Sequence, residues 1–492
     1  MLDVAVFLCG AAVMILEIVG ARMLAPYLGT SIVVWTGLIG VILASLSVGY
    51  AWGGRLADRR PDPGLLSALI ALAAAAVALT ALGRNLVLEF LQGIDVWPHL
   101  KVLLAALVLF VPASLLLGMV SPFAVRLKIE SAGSAGATAG RLYALSTLGS
   151  IVGTFLAGFV LIAWFGSGKI LLVLALLLVL ASLCASRSAL RLKLALALAI
   201  GVLLWLTHSF QRYQARQGYH DLDTNYSRVL VYDSRDIRTG RPMRVLKTSP
   251  VRVQSAMFPD EPVALALTYT RFFRLADLLT PPSGRMLVLG GGACSYPRHV
   301  HAVRPDIALD VVELDPGISA LAERFFGLSP APGFRLVHAD ARVFLNNAHG
   351  VYDAILCDTF DSDYTVPFHL STREAVQRLH ALLAENGLVI HNVISAIEGE
   401  QGEFLRALHD TYAAVFERVD LYPLHHPSEG RAVQNVMLVA RKTDTPLPDV
   451  AGADAELSRW LAGRWTRPVV SAYGPLTDER APVEILALAL WE

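Results

Sequence analysis

The chain has 492 residues, of which 55% are hydrophobic and 17% charged, with 41 acidic and 41 basic side chains. Soluble domains carry about 25% charged residues, so the composition excludes an ordinary soluble protein throughout. A formal net charge of zero excludes a global basic field, and no nucleic-acid partner is expected.

At about 100–200 residues per domain the length admits two large units, and the apolar excess lies in the first. Up to Ser209 the sequence is Leu, Ala, Val, Ile and Gly with rare charges; ordinary globular sequence follows. The expected division is 1–209, a helical transmembrane domain, 210–280, a β-hairpin region, and 281–492, a Rossmann-like domain.

In chain order, apolar runs near Leu2–Gly20, Val34–Gly53, Leu65–Leu82, Val102–Val120, Leu142–Trp164 and Gly168–Ala185 approach the ~20 residues that a spanning helix needs. The first lacks a basic leader and is followed by further runs, so it reads as a retained helix. A seventh run, Leu194–Leu206, is shorter and fits an interfacial position better than a span. Arg55, Arg59 and Arg60, then Arg126, Lys128 and Arg141, then Arg187, Arg191 and Lys193 follow the second, fourth and sixth runs, which puts these loops and the N-terminus inside. A multi-pass inner-membrane protein in contact with the bilayer is expected. Its soluble half is expected to be cytoplasmic, which requires that the seventh run not cross.

Three features of this half stand out. Glu17 lies inside the first run; an intramembrane acid is a functional hypothesis by default, and the bland alternative is a partner for Arg22. Gly149 and Gly153 stand four apart among small residues, the pattern of close helix packing. Gly54-Arg-Leu-Ala-Asp-Arg-Arg60 resembles, briefly, the loop signature of major facilitator transporters, without the internal repeat such a transporter needs.

Beyond Ser209, short β-like runs at Arg228–Asp233, Arg244–Lys247 and Val251–Met257 are separated by turn residues, which predicts a small antiparallel region. An amphipathic helix is predicted over Pro262–Leu279. Strand–helix alternation then begins. Predicted strands are Met286–Leu289, Ala308–Leu314, Phe334–His338, Tyr352–Cys357 and Gly387–Asn392, with a helix at Tyr296–Val303. Carboxyl ends of parallel strands converge on a ligand crevice. Gly290, Gly291, Gly292, Glu313, Asp340 and Asp358 all follow strand ends and are expected around one site. The glycines do not follow the dinucleotide spacing, and acids replace a phosphate cradle, which fits a cationic, phosphate-free nucleoside. The four cysteines, Cys9, Cys184, Cys294 and Cys357, are scattered, so neither a disulfide framework nor a metal site is expected.

These residues carry a resemblance. Val288-Leu-Gly-Gly-Gly292, Val312-Glu-Leu-Asp-Pro316, Ala339-Asp-Ala-Arg342 and Tyr352-Asp-Ala-Ile-Leu-Cys-Asp-Thr-Phe-Asp361 are similar to the motifs of the spermidine synthase (polyamine aminopropyltransferase) family. Asn225-Tyr-Ser-Arg228 and Val253-Gln-Ser255 resemble its N-terminal β region. Leu24-Ala-Pro-Tyr-Leu-Gly29 and the Gly53–Asp58 stretch are similar to a bacterial branch fused to a facilitator-like segment. The resemblance implies a Rossmann-like, methyltransferase-type catalytic domain that transfers an aminopropyl group from decarboxylated S-adenosylmethionine to a polyamine or other amine, without a metal. It implies Asp358 as proton acceptor and Asp361 as its catalytic, amine-binding partner, with Tyr226 on the acceptor side; Asp363, which no motif covers, is a further acid for the same pocket. Glu313 would hold the ribose and Asp340 the adenine, beside Ala341, Gln254 and the glycines. A homodimer is implied by the resemblance alone.

The chain departs from the family pattern at three places. Ala293 replaces the aspartate that grips the donor's ammonium, Ser227 replaces a glutamine, and Thr270 stands where a His or Gln is common. Methyl or aminocarboxypropyl transfer from S-adenosylmethionine is therefore an alternative, as is a transporter or sensor regulated by a nucleoside-binding domain.

Overall fold

The computed structural model describes residues 1–129, 135–250, 252–329, 331–360, 367–448, 450, 452 and 454–491. The chain divides into two compact units, Met1–Arg228 and Val229–Glu492.

The first unit is helical. Seven helices are long and apolar enough, by length and composition, to cross a membrane: α1 (Leu2–Leu28), α2 (Ile32–Arg59), α3 (Pro63–Gln92), α4 (Pro98–Lys128), α5 (Ala135–Trp164), α6 (Ser167–Ala185) and α7 (Leu190–Arg216). The starts follow local chemistry. Ser31 caps α2 through the Val34 N–H, and Asp62 caps α3 at Gly64 and Leu65, with Pro63 in the first turn. The seventh run corrects the sequence reading. It is not a 13-residue segment, because polar sequence on both sides of Leu194–Leu206 continues the helix, giving 27 residues in all.

Small residues set the crossings. A Cβ on Gly149 would overlap the Phe7 carbonyl, and one on Gly153 would lie 2.8 Å from the Ala11 Cα, so α1 and α5 touch backbone to backbone. Gly118 of α4 meets Leu46 of α2 the same way. Arg22 is not the partner of Glu17: its guanidinium bonds the carbonyls of Thr224 and Asn225 and pairs with Asp223 at 3.7 Å. Those residues adjoin strand β1 (His220–Asp223) of the same unit.

The second unit begins with an antiparallel β2 (Arg228–Arg235), β3 (Pro242–Lys247), β4 (Ser255–Phe258) and β5 (Glu261–Leu265), each paired with the next. The single helix expected over Pro262–Leu279 is a correction. Its first residues form β5, because Leu265 pairs with Met257 and Glu261 with Phe258; two short helices, Thr268–Phe272 and Arg274–Leu279, follow. Of the predicted strand Val251–Met257, only Ser255 onward is β4, and Val251 lies outside the described residues.

The main sheet contains β6 (Arg285–Leu289), β7 (Ala308–Glu313), β8 (Phe334–His338), β9 (Tyr352–Cys357), β10 (Leu383–Ser395), β11 (Arg418–Pro423) and β12 (Gln434–Arg441), in the spatial order β11-β12-β10-β9-β6-β7-β8. The strands from β10 to β8 are parallel, and β12 pairs antiparallel with both β10 and β11. Met286–Leu289 is buried throughout because helices cover both faces, which is why it reads as a continuous apolar run. Helix starts and stops are legible: Asp315 caps Pro316–Phe326 at the Gly317 N–H, and Gly327 ends it at φ 69°. The sheet order reverses between β6 and β9, where a crevice opens at the carboxyl ends.

Candidate active site

One cavity of about 460 Å³ lies at that crevice, within the second unit. Gln254, Gly290, Gly291, Gly292, Glu313, Asp340, Ala341 and Asp358 all line it, so the structure brings these predicted residues together. Tyr226 does not line it; it is an exposed residue of the first unit. Asp361 and Asp363 lie outside the described residues.

The glycines are explained by close approach. Gly290 has φ 90°, and a Cβ there would overlap the Asp358 carbonyl where β9 leaves the sheet. Gly292 has φ 50° and faces the Ser255 hydroxyl.

Glu313 holds this loop in place. One carboxylate oxygen accepts from the Gly291 and Gly292 N–H groups at 3.0 and 2.9 Å, and the other from Asp315 N at 2.9 Å. Burial raises its pKa, against the lowering effect of those N–H donors. Asp340 caps the helix Ala341–Asn347 through Val343 N at 3.0 Å, and its second oxygen lies 3.2 Å from His369 Nε2. Each acid therefore has a structural role and also faces the cavity.

Asp358 differs from both. Its Oδ1 accepts from Asn392 Nδ2 at 2.9 Å, and Asn392 Oδ1 in turn accepts from Asn435 Nδ2 at 2.9 Å. Tyr269 lies beside the carboxylate, and its hydroxyl donates to the Gln254 carbonyl at 3.2 Å. Burial outweighs these neighbours and pushes the Asp358 pKa up to about 6. A carboxyl that ionises near neutrality, held by the Asn392 amide at the wall of a cavity, is poised to accept a proton.

Gln254 presents a buried Oε1 with no hydrogen-bond partner among the described residues, so the cavity wall keeps a free acceptor for an incoming donor group. Ala293 is buried, and its N–H donates to Ser255 Oγ at 3.0 Å; it is not part of the cavity wall. Thr270 lines the cavity, with its hydroxyl bonded to the Leu267 carbonyl at 2.7 Å.

Sequence reasoning missed Tyr269, Asn392 and Asn435. Asn392 carried a signal, as a polar residue at the carboxyl end of a predicted parallel strand. Tyr269 was hidden in a helix predicted in one piece, and Asn435 sits on a strand that the pattern did not reveal.

No family model matches the chain. It is 28% identical over 223 residues to the polyamine aminopropyltransferase of Vibrio vulnificus, covering 44% of this chain and 71% of that protein. Over 292 residues it is 26% identical to a probable polyamine aminopropyl transferase of Bifidobacterium longum, covering 55% and 64%. The eEF1A lysine and N-terminal methyltransferase homolog of Drosophila melanogaster is 28% identical over 134 residues, covering 26% and 20%. Among solved structures, a probable spermidine synthase from Corynebacterium glutamicum is 23% identical with a TM-score of 0.42, covering 49% of this chain and 85% of that one.

Fold and cavity define the second unit as a Rossmann-like domain, with a mixed sheet and a crevice at the strand ends. The C-terminal part of the chain is related to the polyamine aminopropyltransferases, as its motifs anticipated. The expected fusion branch is not among these findings.

Proposed function

We propose that the protein is an aminopropyltransferase that joins an aminopropyl group from decarboxylated S-adenosylmethionine to a polyamine or other amine. The observation that carries this reading is Asp358, desolvated and held by Asn392 in a cavity that also contains Gln254, Tyr269, Glu313 and Asp340. The donor supplies a methylene made electrophilic by its sulfonium.

An amine is protonated at neutral pH and must lose a proton to attack. Asp358 attracts the ammonium and takes that proton; as the N–C bond forms, the C–S bond breaks and its electron pair stays on sulfur. Asn392 fixes the face of the carboxylate, and Asn435 fixes Asn392. Gln254 and the acids at the ends of β7 and β8 bind the nucleoside; Asp361 is assigned to the acceptor side from the motif alone, and Asp363 only from its place two residues beyond.

Incubation with the decarboxylated donor and a polyamine panel, followed by mass spectrometry, tests the reading. An acceptor heavier by one aminopropyl unit, and absent with Asp358→Asn, is the expected result. No product from that donor would overturn it. One observation favours a second reading: position 293 offers the donor no carboxylate, because Ala293 is packed beneath Ser255. Methyl or aminocarboxypropyl transfer from S-adenosylmethionine is that reading, and the same experiment run with that donor separates the two.

The helical unit is proposed to hold the enzyme in an inner membrane as a multi-pass protein, with the soluble half on the cytoplasmic side, where sulfonium nucleotides are made. Given the basic loops after α2, α4 and α6, this needs α7 to lie along the membrane rather than through it. A cysteine placed near residue 237 and shielded from impermeant reagent in intact cells supports it; labelling there would put the soluble half outside. A homodimer is proposed by resemblance, to be checked by the mass of the solubilised chain.

A further inference from the structure

Glu17 lies midway along α1 and, among the described residues, makes no hydrogen bond or ion pair. Two other features lie at its depth. On α4, the Ser114 hydroxyl is buried and has no partner. On α5, Ala157–Leu161 is a π-turn in which the Ile162 N–H reaches back to the Ala157 carbonyl. Such turns displace a carbonyl from the regular ladder and recur at functional sites.

The depths follow from the crossings. Gly20 of α1 meets the Phe110 ring of α4, where a Cβ would lie 2.7 Å from Cε1. The helices run antiparallel. Glu17 is three residues before that contact on α1 and Ser114 four residues after it on α4, so their depths agree to about 1.5 Å. On the other side, Gly153 of α5 meets Ala11 of α1, and the two helices run parallel. Six residues further along each stand Glu17 and Phe159, the centre of the π-turn.

The directions agree as well. At roughly 100° per residue, Glu17 is turned about 60° from the α1–α4 contact and Ser114 about 40°. Because the helices are antiparallel, both turn to the same side. On that side Gly118 of α4 packs on Leu46 of α2. Carboxylate and hydroxyl thus face one space beside α2, whereas the π-turn at the same depth turns Phe159 outward, 74% exposed.

We infer that this space is a binding site for an organic ammonium ion, separate from the cavity of the second unit. An isolated carboxylate in apolar surroundings is costly without a counter-cation. A primary ammonium has three N–H donors, and Glu17 and Ser114 supply a charged and a neutral acceptor for two of them. The site would hold an amine within the helical unit, a function beyond the transfer reaction and independent of it.

The test uses the full chain in lipid nanodiscs with radiolabelled 1,4-diaminobutane as probe, alongside turnover by the soluble half. Glu17→Gln should remove one class of bound diamine, with affinity falling about tenfold or more, as expected for loss of a charged hydrogen-bond partner, and leave turnover unchanged. Ser114→Ala should weaken the same class about threefold to tenfold. Asp358→Asn should abolish turnover and leave that class intact, so failure of the transfer reading is distinguishable from failure of this one. Diamine binding in Glu17→Gln that matches the wild type would overturn the inference, as would proton uptake lost without any change in diamine binding. If Glu17→Gln does not fold, unchanged binding by Ser114→Ala overturns it instead.

Discussion

Glu17 and Asp358 are both carboxylates in apolar surroundings, one in each unit, and they were found by different logic. In the helical unit charge is so rare that a single acid is informative. In the Rossmann-like unit acids are common, and Glu313 and Asp340 both have structural partners. There only convergence at the strand ends, and the difference between an acid committed to backbone N–H groups and one held for proton transfer, picks out Asp358. A polar residue is thus weighed against the background of its own unit.

The largest effect that would sharpen this contrast is at Asp358. Asp358→Asn should lower turnover about 10³-fold, within the usual range for loss of a general base. Nucleoside affinity should stay within a few-fold, as read by calorimetry. A fall in affinity that matches the fall in turnover would make Asp358 a binding residue and break the distinction from Glu313.

Next in size is the helix crossing. Gly153→Val should destabilise the helical unit by about 3 kcal/mol, because its Cβ meets the Ala11 backbone. Gly158→Ala, with open space around it, should be neutral or slightly stabilising. Thermal unfolding in detergent compares them, and equal losses at both positions would remove the packing account.

The pH profile is the third test. The Asp358 pKa is raised to about 6, so its base form is lost as pH falls through about 6. kcat should therefore drop about tenfold per unit below that point. The same shift has a sign for stability: a carboxyl with a pKa raised above the unfolded value of 3.8 costs the fold increasingly as pH rises from about 4 to about 6. Asp358→Asn should remove that slope in denaturant titrations.

The smallest effects belong to the supporting residues. Asn435→Ala should cost about 1 kcal/mol of transition-state stabilisation through a misoriented Asn392, read as a several-fold fall in kcat with KM little changed. Asp340→Ala should cost about 1 kcal/mol of stability as a lost helix cap.

Local chemistry determined much of this from sequence alone. Apolar run lengths gave six of the helices, and the Gly149/Gly153 spacing marked a close-packing face on α5, whose partner, α1, only the structure shows. Four of the five strands predicted in the main sheet begin and end within a residue of their observed limits, since buried parallel strands read as short apolar runs. Glu313, Asp340 and Asp358 were legible because each is an acid at or just past the carboxyl end of a short apolar run. What tertiary structure decided was pairing. β5 took the first residues of a predicted helix because β4 offered it a partner. β11 and β12, missed in sequence, are set by antiparallel pairing of β12 to β10 and of β11 to β12, which no local period encodes. Tyr269, Asn392 and Asn435 meet Asp358 only because strands and a helix distant in sequence end at one crevice. Side-chain type is fixed residue by residue, whereas proximity across such separations is a property of the folded chain.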